Sequence, residues 1–355
     1  MSILAIDLGK GKSVACDYEA HSGEHKFYGI RTVPSELQDL LELIRPERVV
    51  IEICSQAGWV GDQIRAAGIE LQVANTNGQA WQWRRVKRKT DRDDALKLAR
   101  LSALNQISPV YLPERATRQW RSLIQYRQTL VARRTAVKNR IRSILDREAL
   151  SMPAGKSGWS VKRLKVLREW ARPVEDCGVD DFWRGQLCEE LEHLDRLESS
   201  IKRVEAGLDK LASSDPRVHR LMKTPGVGKR LSEMVVAVID DPHRFGNGKQ
   251  VAAYVGLTPR QFQSGTMDRR GGITGRGHKD LRKLLVEVSW LGLRYNPRMR
   301  SVYERICQGS RTRKKLAIVA VARRLLIWCW AMLRDETDWE DKRQASDEPL
   351  RSEAA

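Results

Sequence analysis

Two acids each close an apolar run. Asp7 ends Ile3-Leu4-Ala5-Ile6, and Glu52 ends Val49-Val50-Ile51. A carboxylate that follows three buried residues is costly unless it is solvated, paired or holding a cation. If the two runs are neighbouring parallel strands, both acids come to the same edge of a sheet, where side chains converge. A third piece, Lys89-Thr90-Asp91-Arg92-Asp93-Asp94-Ala95, opens a helix. Asp91 and Asp94 stand three apart and so share a helix face, which continues through Leu98 and Leu101 and is expected to turn toward the protein. Asp93 aligns with Lys97 and Arg100 and is expected in surface ion pairs. Acids at a helix start are also favoured by the helix dipole, with Thr90 available as a cap, so this segment alone admits a purely structural role. Four converging carboxylates suit Mg²⁺, a hard ion that takes oxygen ligands and keeps positions open for phosphate oxygens. Two such ions about 4 Å apart stabilise both the attacking and the leaving oxygen of a phosphodiester displacement.

The elements that must position these acids follow from the hydrophobic pattern. Strands are expected at Ile3–Asp7, Ser13–Tyr18 and Glu24–Tyr28, the last two joined across a His-Ser-Gly turn. Helical spacing at Leu37, Leu40, Leu41 and Ile44 precedes the strand Arg48–Glu52; a helix around Val60–Ala67 precedes another at Glu70–Ala74. A further helix runs from Thr90 to Leu104, with Ala95, Leu98, Leu101 and Leu104 near one side. This order implies a mixed sheet with helices on its faces. Beyond it, Leu123, Leu130, Val137 and Ile144 recur every seven residues in a long amphipathic helix. Pro153, Gly155, Gly158, Pro173 and Gly178 mark a less regular stretch. A second long helix carries Leu187, Leu191, Leu194, Ile201, Val204, Leu208 and Leu211 in an interrupted heptad, read equally as a hairpin within the chain or as a dimer contact. Pro216 to Leu333 forms a distinct unit, rich in Gly and Arg at first and then helical. The polar tail after Arg334 is expected to be disordered.

The 355 residues suffice for two or three domains, and 64 Lys+Arg against 45 Asp+Glu give a formal net charge of +19. That excess points to a polyanionic partner, most often nucleic acid. The charge is clustered: Arg115 to Leu145 holds nine basic residues and no acid. Within it, Arg133, Arg134, Lys138 and Arg142 suggest a rail for phosphates without a base-reading signature. Arg84, Arg85, Lys87, Arg88 and Lys89 form a second block beside Trp81 and Trp83; this suits single strands or RNA, or else one core tryptophan beside a solvated face. Pro225-Gly226-Val227-Gly228-Lys229 before an amphipathic helix is either a helix-hairpin-helix turn, whose glycines admit a phosphate, or an ordinary helix connection. Gly271 to Lys279 lacks the P-loop pattern, and nucleotide binding is rejected. The six cysteines stand singly, form no zinc set, and are expected reduced and mostly buried. No apolar run is expected to span a membrane, the N-terminus lacks a signal-peptide pattern, and a cytoplasmic protein is the default. Taken on its residues alone, Ser264-Gly265 is a turn in a polar loop.

The ordered set of these segments resembles one family. The chain is similar to the DEDD transposases of the IS-one-ten type, relatives of the Piv and MooV DNA invertases and understood as bridge-RNA-guided recombinases. The resemblance rests on Ile6-Asp7-Leu8-Gly9-Lys10, the strand ending in Glu52, and the segment Lys89 to Ala95. It continues through Thr224-Pro225-Gly226-Val227-Gly228, Ala252 to Pro259, Ser264-Gly265, Leu281-Arg282 and Ala320 to Leu326. It implies an α/β plus mainly α architecture. Residues 1–112 would be a RuvC-like, RNase-H-type mixed-sheet domain, 113–215 a basic, coiled-coil-like helical region, 216–334 a helical transposase domain with the helix-hairpin-helix-like turn, and 335–355 the disordered tail. It implies a tetrad of Asp7, Glu52, Asp91 and Asp94 binding Mg²⁺, with Mn²⁺ as a substitute, and Ser264 as nucleophile. A serine hydroxyl can attack a phosphodiester, hold its energy as a phosphoserine and release it to a new strand. The implied partners are element and target DNA, a guide (bridge) RNA and further copies of the chain as a dimer or tetramer, with no membrane, in a prokaryotic cytoplasm at the nucleoid. Two alternatives stay open: a RuvC-like junction resolvase or nuclease without a covalent intermediate, and a non-enzymatic nucleic-acid-binding protein.

Overall fold

The computed structural model describes residues 1–75, 90–264 and 267–340. Trp81, Trp83 and the block Arg84, Arg85, Lys87, Arg88 and Lys89 lie outside the described residues, as does the tail beyond residue 340. The chain gathers into two compact units, Met1–Gln119 and Trp120–Ala355.

The first unit is built on five strands, β1 (Ser2–Asp7), β2 (Lys12–Glu19), β3 (His25–Arg31), β4 (Arg48–Glu52) and β5 (Glu70–Ala74). Their order is β3-β2-β1-β4-β5. The β1–β2 and β2–β3 pairs are antiparallel, while β1–β4 and β4–β5 are parallel, so the sheet is mixed, as expected. Helices α1 (Pro34–Ile44) and α2 (Ala57–Ala66) separate the parallel strands, and α3 (Asp91–Ala103) follows β5 in chain order. Strand alternation sorts the core into two layers. Leu4, Ile6, Val49 and Ile51 pack with Leu37, Leu40, Val60 and Ile64 of α1 and α2. Ile3, Ala5, Cys16 and Val50 pack with Ala95, Leu98 and Ala99 of α3.

The α3 face differs from the expected one. Ala95, Leu98, Ala99 and Ser102 are buried, whereas Leu104 is 65% exposed. Two alanines let the helix backbone approach the sheet closely, and the Ser102 hydroxyl donates to the Gln72 side-chain oxygen at 2.6 Å. Small residues beside Leu98, and not Leu104, define the stripe.

In the second unit, α4 (Arg115–Arg147), continuing from the first, pairs with α6 (Phe182–Ser214), with α5 (Val161–Trp170) alongside. Leu130, Val137, Ile141 and Leu145 of α4 meet Leu187, Leu191, Leu194, Leu197 and Ile201 of α6 and Leu167 of α5. The heptad pattern is therefore satisfied by a hairpin within the chain. Leu211, expected in that stripe, is 43% exposed. Helix α5 arises inside the stretch expected to be irregular, started by Ser160, whose hydroxyl accepts the Arg163 N–H.

The remaining elements are α7 (Pro216–Met222), α8 (Lys229–Ile239), α9 (Gly248–Val255), β6 (Pro259–Ser264), β7 (Met267–Ile273), α10 (Lys279–Tyr295), α11 (Pro297–Cys307) and α12 (Lys314–Arg334). Ile124 of α4 and Leu208 of α6 share a core with α7 to α12. Helix α12 corrects one expectation, because by length and composition it could cross a membrane. It is the central helix of this core: Ala317, Val321, Ala322, Leu325, Leu326 and Cys329 are fully buried. All six cysteines are free thiols, yet only Cys16, Cys307 and Cys329 are buried, half of the set and not most of it.

Candidate catalytic site and nucleic-acid surfaces

The parallel register of β1 with β4 pairs Ile3 with Arg48, Leu4 with Val49, Ala5 with Val50 and Ile6 with Ile51. The next residues, Asp7 and Glu52, therefore stand side by side at the carboxyl edge of the sheet. Alternation fixes their face as well. Asp7 follows Ile3 and Ala5, and Glu52 follows Val50, on the layer that α3 covers. Both are half-buried. The Cys16 thiol on the same layer is pushed up to about 11, chiefly by burial. It is a protonated core filler there and not a soft metal ligand.

Helix α3 separates its three acids. Thr90 is the N-cap, and its hydroxyl oxygen accepts the Asp93 backbone N–H at 3.3 Å. The Asp93 carboxylate accepts the Thr90 backbone N–H at 3.2 Å and its hydroxyl at 2.7 Å. This is a capping box, so the carboxylate of Asp93, expected in surface ion pairs, is engaged at the helix start. Asp94 is 7% exposed, on the face shared with Ala95 and Leu98. Asp91, in the first turn, is exposed. We expect Asp93→Ala to cost about 1 kcal/mol of stability through the missing cap and to leave DNA cleavage intact. Thermal melting beside a cleavage assay checks this; a dead Asp93→Ala with an active Asp94→Ala would reverse the roles of the two acids.

The fit to a metal can be judged from these placements. The donors are all carboxylate oxygens, the set for a hard divalent ion and not for zinc. Asp7 and Glu52 form a pair, and Asp94 lies on the buried face of the helix covering their layer. Among the described residues, no three His, Cys, Asp or Glu side chains are gathered closely enough to hold an ion. The structure thus brings together two of the four expected acids and turns a third toward their layer.

Ser264 is the last residue of β6 and pairs with Met267 across a β-hairpin. The sequence suggested a loop turn, and the structure makes it a strand end; Gly265 lies outside the described residues. The hairpin escaped the hydrophobic pattern because Pro259-Arg260-Gln261-Phe262-Gln263-Ser264 holds a single large apolar side chain.

Much of the positive charge on α4 is used within the fold. Arg127 meets Glu205 at 2.6 Å, Lys138 meets Glu198 at 3.2 Å and Arg140 meets Glu190 at 3.0 Å, each pair joining α4 to α6. Arg121 donates to the carbonyl oxygens of Ala237 and Val238 at 2.6 and 3.0 Å. Arg142 donates to the Pro153 carbonyl at 3.1 Å, and its guanidinium stacks over Trp159. Of the four residues expected on the rail, Lys138 and Arg142 are thus engaged internally, Arg133 is exposed and Arg134 half-exposed. Arg133→Glu and Arg134→Glu should leave the melting temperature unchanged and flatten the salt dependence of nucleic-acid binding. The log–log slope should fall by about 0.9 for each phosphate that is no longer neutralised. Lys138→Glu should instead destabilise the hairpin, because it sets two acids against each other. Equal salt slopes for the Arg133→Glu and Arg134→Glu variants and the unsubstituted chain would return this face to plain solvated surface.

In the Pro225–Lys229 turn, Gly226 has φ +86°, and a Cβ there would stand 2.9 Å from the Gly292 Cα of α10. That glycine is required by backbone packing. Gly228 is the N-cap of α8 and offers no side chain over its first turn. The Lys229 ammonium faces Asp209 at 3.4 Å.

A basic chain with paired strand-end acids on one layer of a mixed sheet has the makings of an enzyme that works on nucleic-acid phosphodiesters. Comparison with known proteins makes the class specific. The DEDD transposase model of the IS110 type matches residues 4–149, and the model described as "Transposase IS116/IS110/IS902 family" matches residues 218–304, together well over half of the chain. The chain belongs to the IS110 family of transposases and is a DNA transposase. It is 27% identical to a "Probable family 20 transposase" of Pseudomonas aeruginosa, covering 95% of this chain and 98% of that one. It is likewise 27% identical to the "Transposase for insertion sequence element IS1111A" of Coxiella burnetii, over 83% of this chain and 79% of that one. A "Pilin gene-inverting protein" of Moraxella bovis is 26% identical, over 73% and 70%. A RuvC structure from Thermus thermophilus aligns along its full length with 31% of this chain at 16% identity and a TM-score of 0.23, too slight a likeness to bear on the fold.

Proposed function

We propose that this transposase cuts, exchanges and rejoins DNA strands through a carboxylate site in its first unit and a serine nucleophile in its second, at sites chosen by a guide RNA. The observation that carries this is the pairing of Asp7 and Glu52 at one sheet edge, on the layer covered by the helix that bears Asp94, in a member of this family. Asp7, Glu52, Asp91 and Asp94 would hold Mg²⁺, or Mn²⁺ in its place; the four are not gathered in this structure and would have to draw together on binding the ion. When bound, the ion neutralises the phosphate oxygens and eases departure of the leaving oxygen. The first unit would then be an RNase-H-type domain, a reading supported by its antiparallel β1–β3 meander and parallel β1, β4 and β5.

Ser264 supplies the nucleophile. Its Oγ forms a bond to phosphorus as one P–O bond of the strand breaks, and the serine proton leaves to water or the departing oxygen. A DNA hydroxyl then attacks the phosphoserine, and Ser264 departs with its oxygen. No external energy source is needed, because one phosphodiester is held throughout. Outward cations such as Arg133 would neutralise phosphates without reading bases, which leaves target choice to base pairing with a guide (bridge) RNA. Two DNA ends brought together call for a dimer or tetramer.

The test uses the full chain, RNA transcribed from the non-coding flank of its element, and a labelled duplex spanning the element junction. Cleavage should require the RNA, stop on chelation and return with Mg²⁺ or Mn²⁺. Chelator-resistant cleavage would remove the carboxylate site from the chemistry, and RNA-independent site choice would remove the guide.

A further inference from the structure

Phe262 is 70% exposed, more than any other described aromatic side chain, and Met267 is 49% exposed. Both belong to the hairpin that carries Ser264. Phe262 stands two positions before Ser264 on β6 and pairs with Arg269, while Met267 pairs directly with Ser264. Two large apolar groups left in water on one hairpin, beside the residue read as the nucleophile, point to a contact surface. The surrounding charge says what it contacts. Residues 259–276 hold Arg260, Arg269, Arg270 and Arg276 against Asp268 alone, which suits a polyanion. The hairpin is also firmly mounted. The Arg282 guanidinium of α10 donates to the carbonyl oxygens of Val255, Arg276 and Gly275 at 2.8, 3.3 and 3.1 Å, tying the end of α9 to the segment after β7. Arg260 donates to the Thr274 carbonyl across its base at 3.2 Å. A basic hairpin tied at its base, with an uncovered aromatic, fits the way proteins insert apolar side chains between base steps and kink a duplex.

We propose that Phe262, seconded by Met267, is a wedge that enters the DNA base stack beside the phosphate attacked by Ser264. This rests on the reading of Ser264 as the nucleophile. Two strand positions span about 7 Å, about two base steps at roughly 3.4 Å each. The wedge thus reaches the steps beside the scissile phosphate and lets the strand bend away from its partner. Phe262 is a positioning residue: it shapes the substrate and takes no part in bond making.

The test places 2-aminopurine, which brightens on unstacking, at the step beside the cut in the junction duplex, with the full chain and the flanking transcript. The unsubstituted chain and Ser264→Ala should both brighten the probe, Phe262→Trp should preserve the response, and Phe262→Ala should lose it. Cleavage of the paired duplex by Phe262→Ala should fall about tenfold or more, the usual scale for unstacking a base step, and recover when the bases at that step are mismatched. An unchanged probe response in Phe262→Ala, no response with the unsubstituted chain, or an equal deficit on the mismatched duplex would overturn the wedge. So would a loss of self-association in Phe262→Ala, which would make the side chain a contact between copies. Cleavage by Ser264→Ala with the probe response intact would support the wedge while removing Ser264 as nucleophile.

Discussion

Asp7→Asn and Glu52→Gln should each lower strand cleavage on the order of a thousandfold, the equivalent of several kcal/mol of transition-state stabilisation by a bound ion. The amides keep the shape of the side chains and remove only the charge. Each acid ends an apolar strand, so its carboxylate is held at the sheet edge by Ala5, Ile6, Val50 and Ile51, all fully buried. Those residues stay in place in the variants, and stability should change by no more than about 1 kcal/mol. Asp94→Asn should follow the same direction from its buried position on α3. Equal activity of the variants and the unsubstituted chain, with melting unchanged, would make the paired acids structural.

Ser264→Ala should abolish strand exchange altogether and leave DNA and RNA binding intact, because deleting one hydroxyl at the end of a strand costs little stability. Ser264→Cys should retain traces at most, since a thiolate is nucleophilic but poorly matched to a hard ion. Thr266→Ala provides the control, having a similar hydroxyl outside the matched motif. Full recombination by Ser264→Ala would leave only the carboxylates, and the enzyme would cut by hydrolysis or by using a free DNA hydroxyl.

The centre of the first unit is readable from sequence because β1 and β4 are short, apolar and each closed by a single acid. Each of the five expected strands exists, and the step from Ile51 to Glu52 marks the sheet edge in the sequence itself. The parallel pairing of β1 with β4, which turns two separate acids into neighbours, is only a condition in the sequence, and the register meets it. Asp93 escapes a reading by helix periodicity because periodicity knows nothing of caps; a Thr three residues before an Asp is a capping-box pattern, and that signal is present. Leu104 misleads because a large apolar residue outweighs the small Ala99 that the sheet selects. The β6–β7 hairpin is invisible in the sequence, since a two-stranded ribbon rich in polar residues writes no apolar alternation. The basic face of α4 is legible as charge but not as contact. Only the pairing with α6 shows that Lys138 meets Glu198 while Arg133 faces outward.

The most direct test is electrophoresis under denaturing conditions of the full chain reacted with labelled junction DNA, its flanking transcript and Mg²⁺, followed by peptide mapping of any retained label. A protein–DNA adduct should appear, resist denaturant, map to Ser264, and be absent from both Ser264→Ala and Asp7→Asn. Cleaved DNA ends with no retained protein, or an adduct mapping to another residue, would contradict a serine-linked strand exchange.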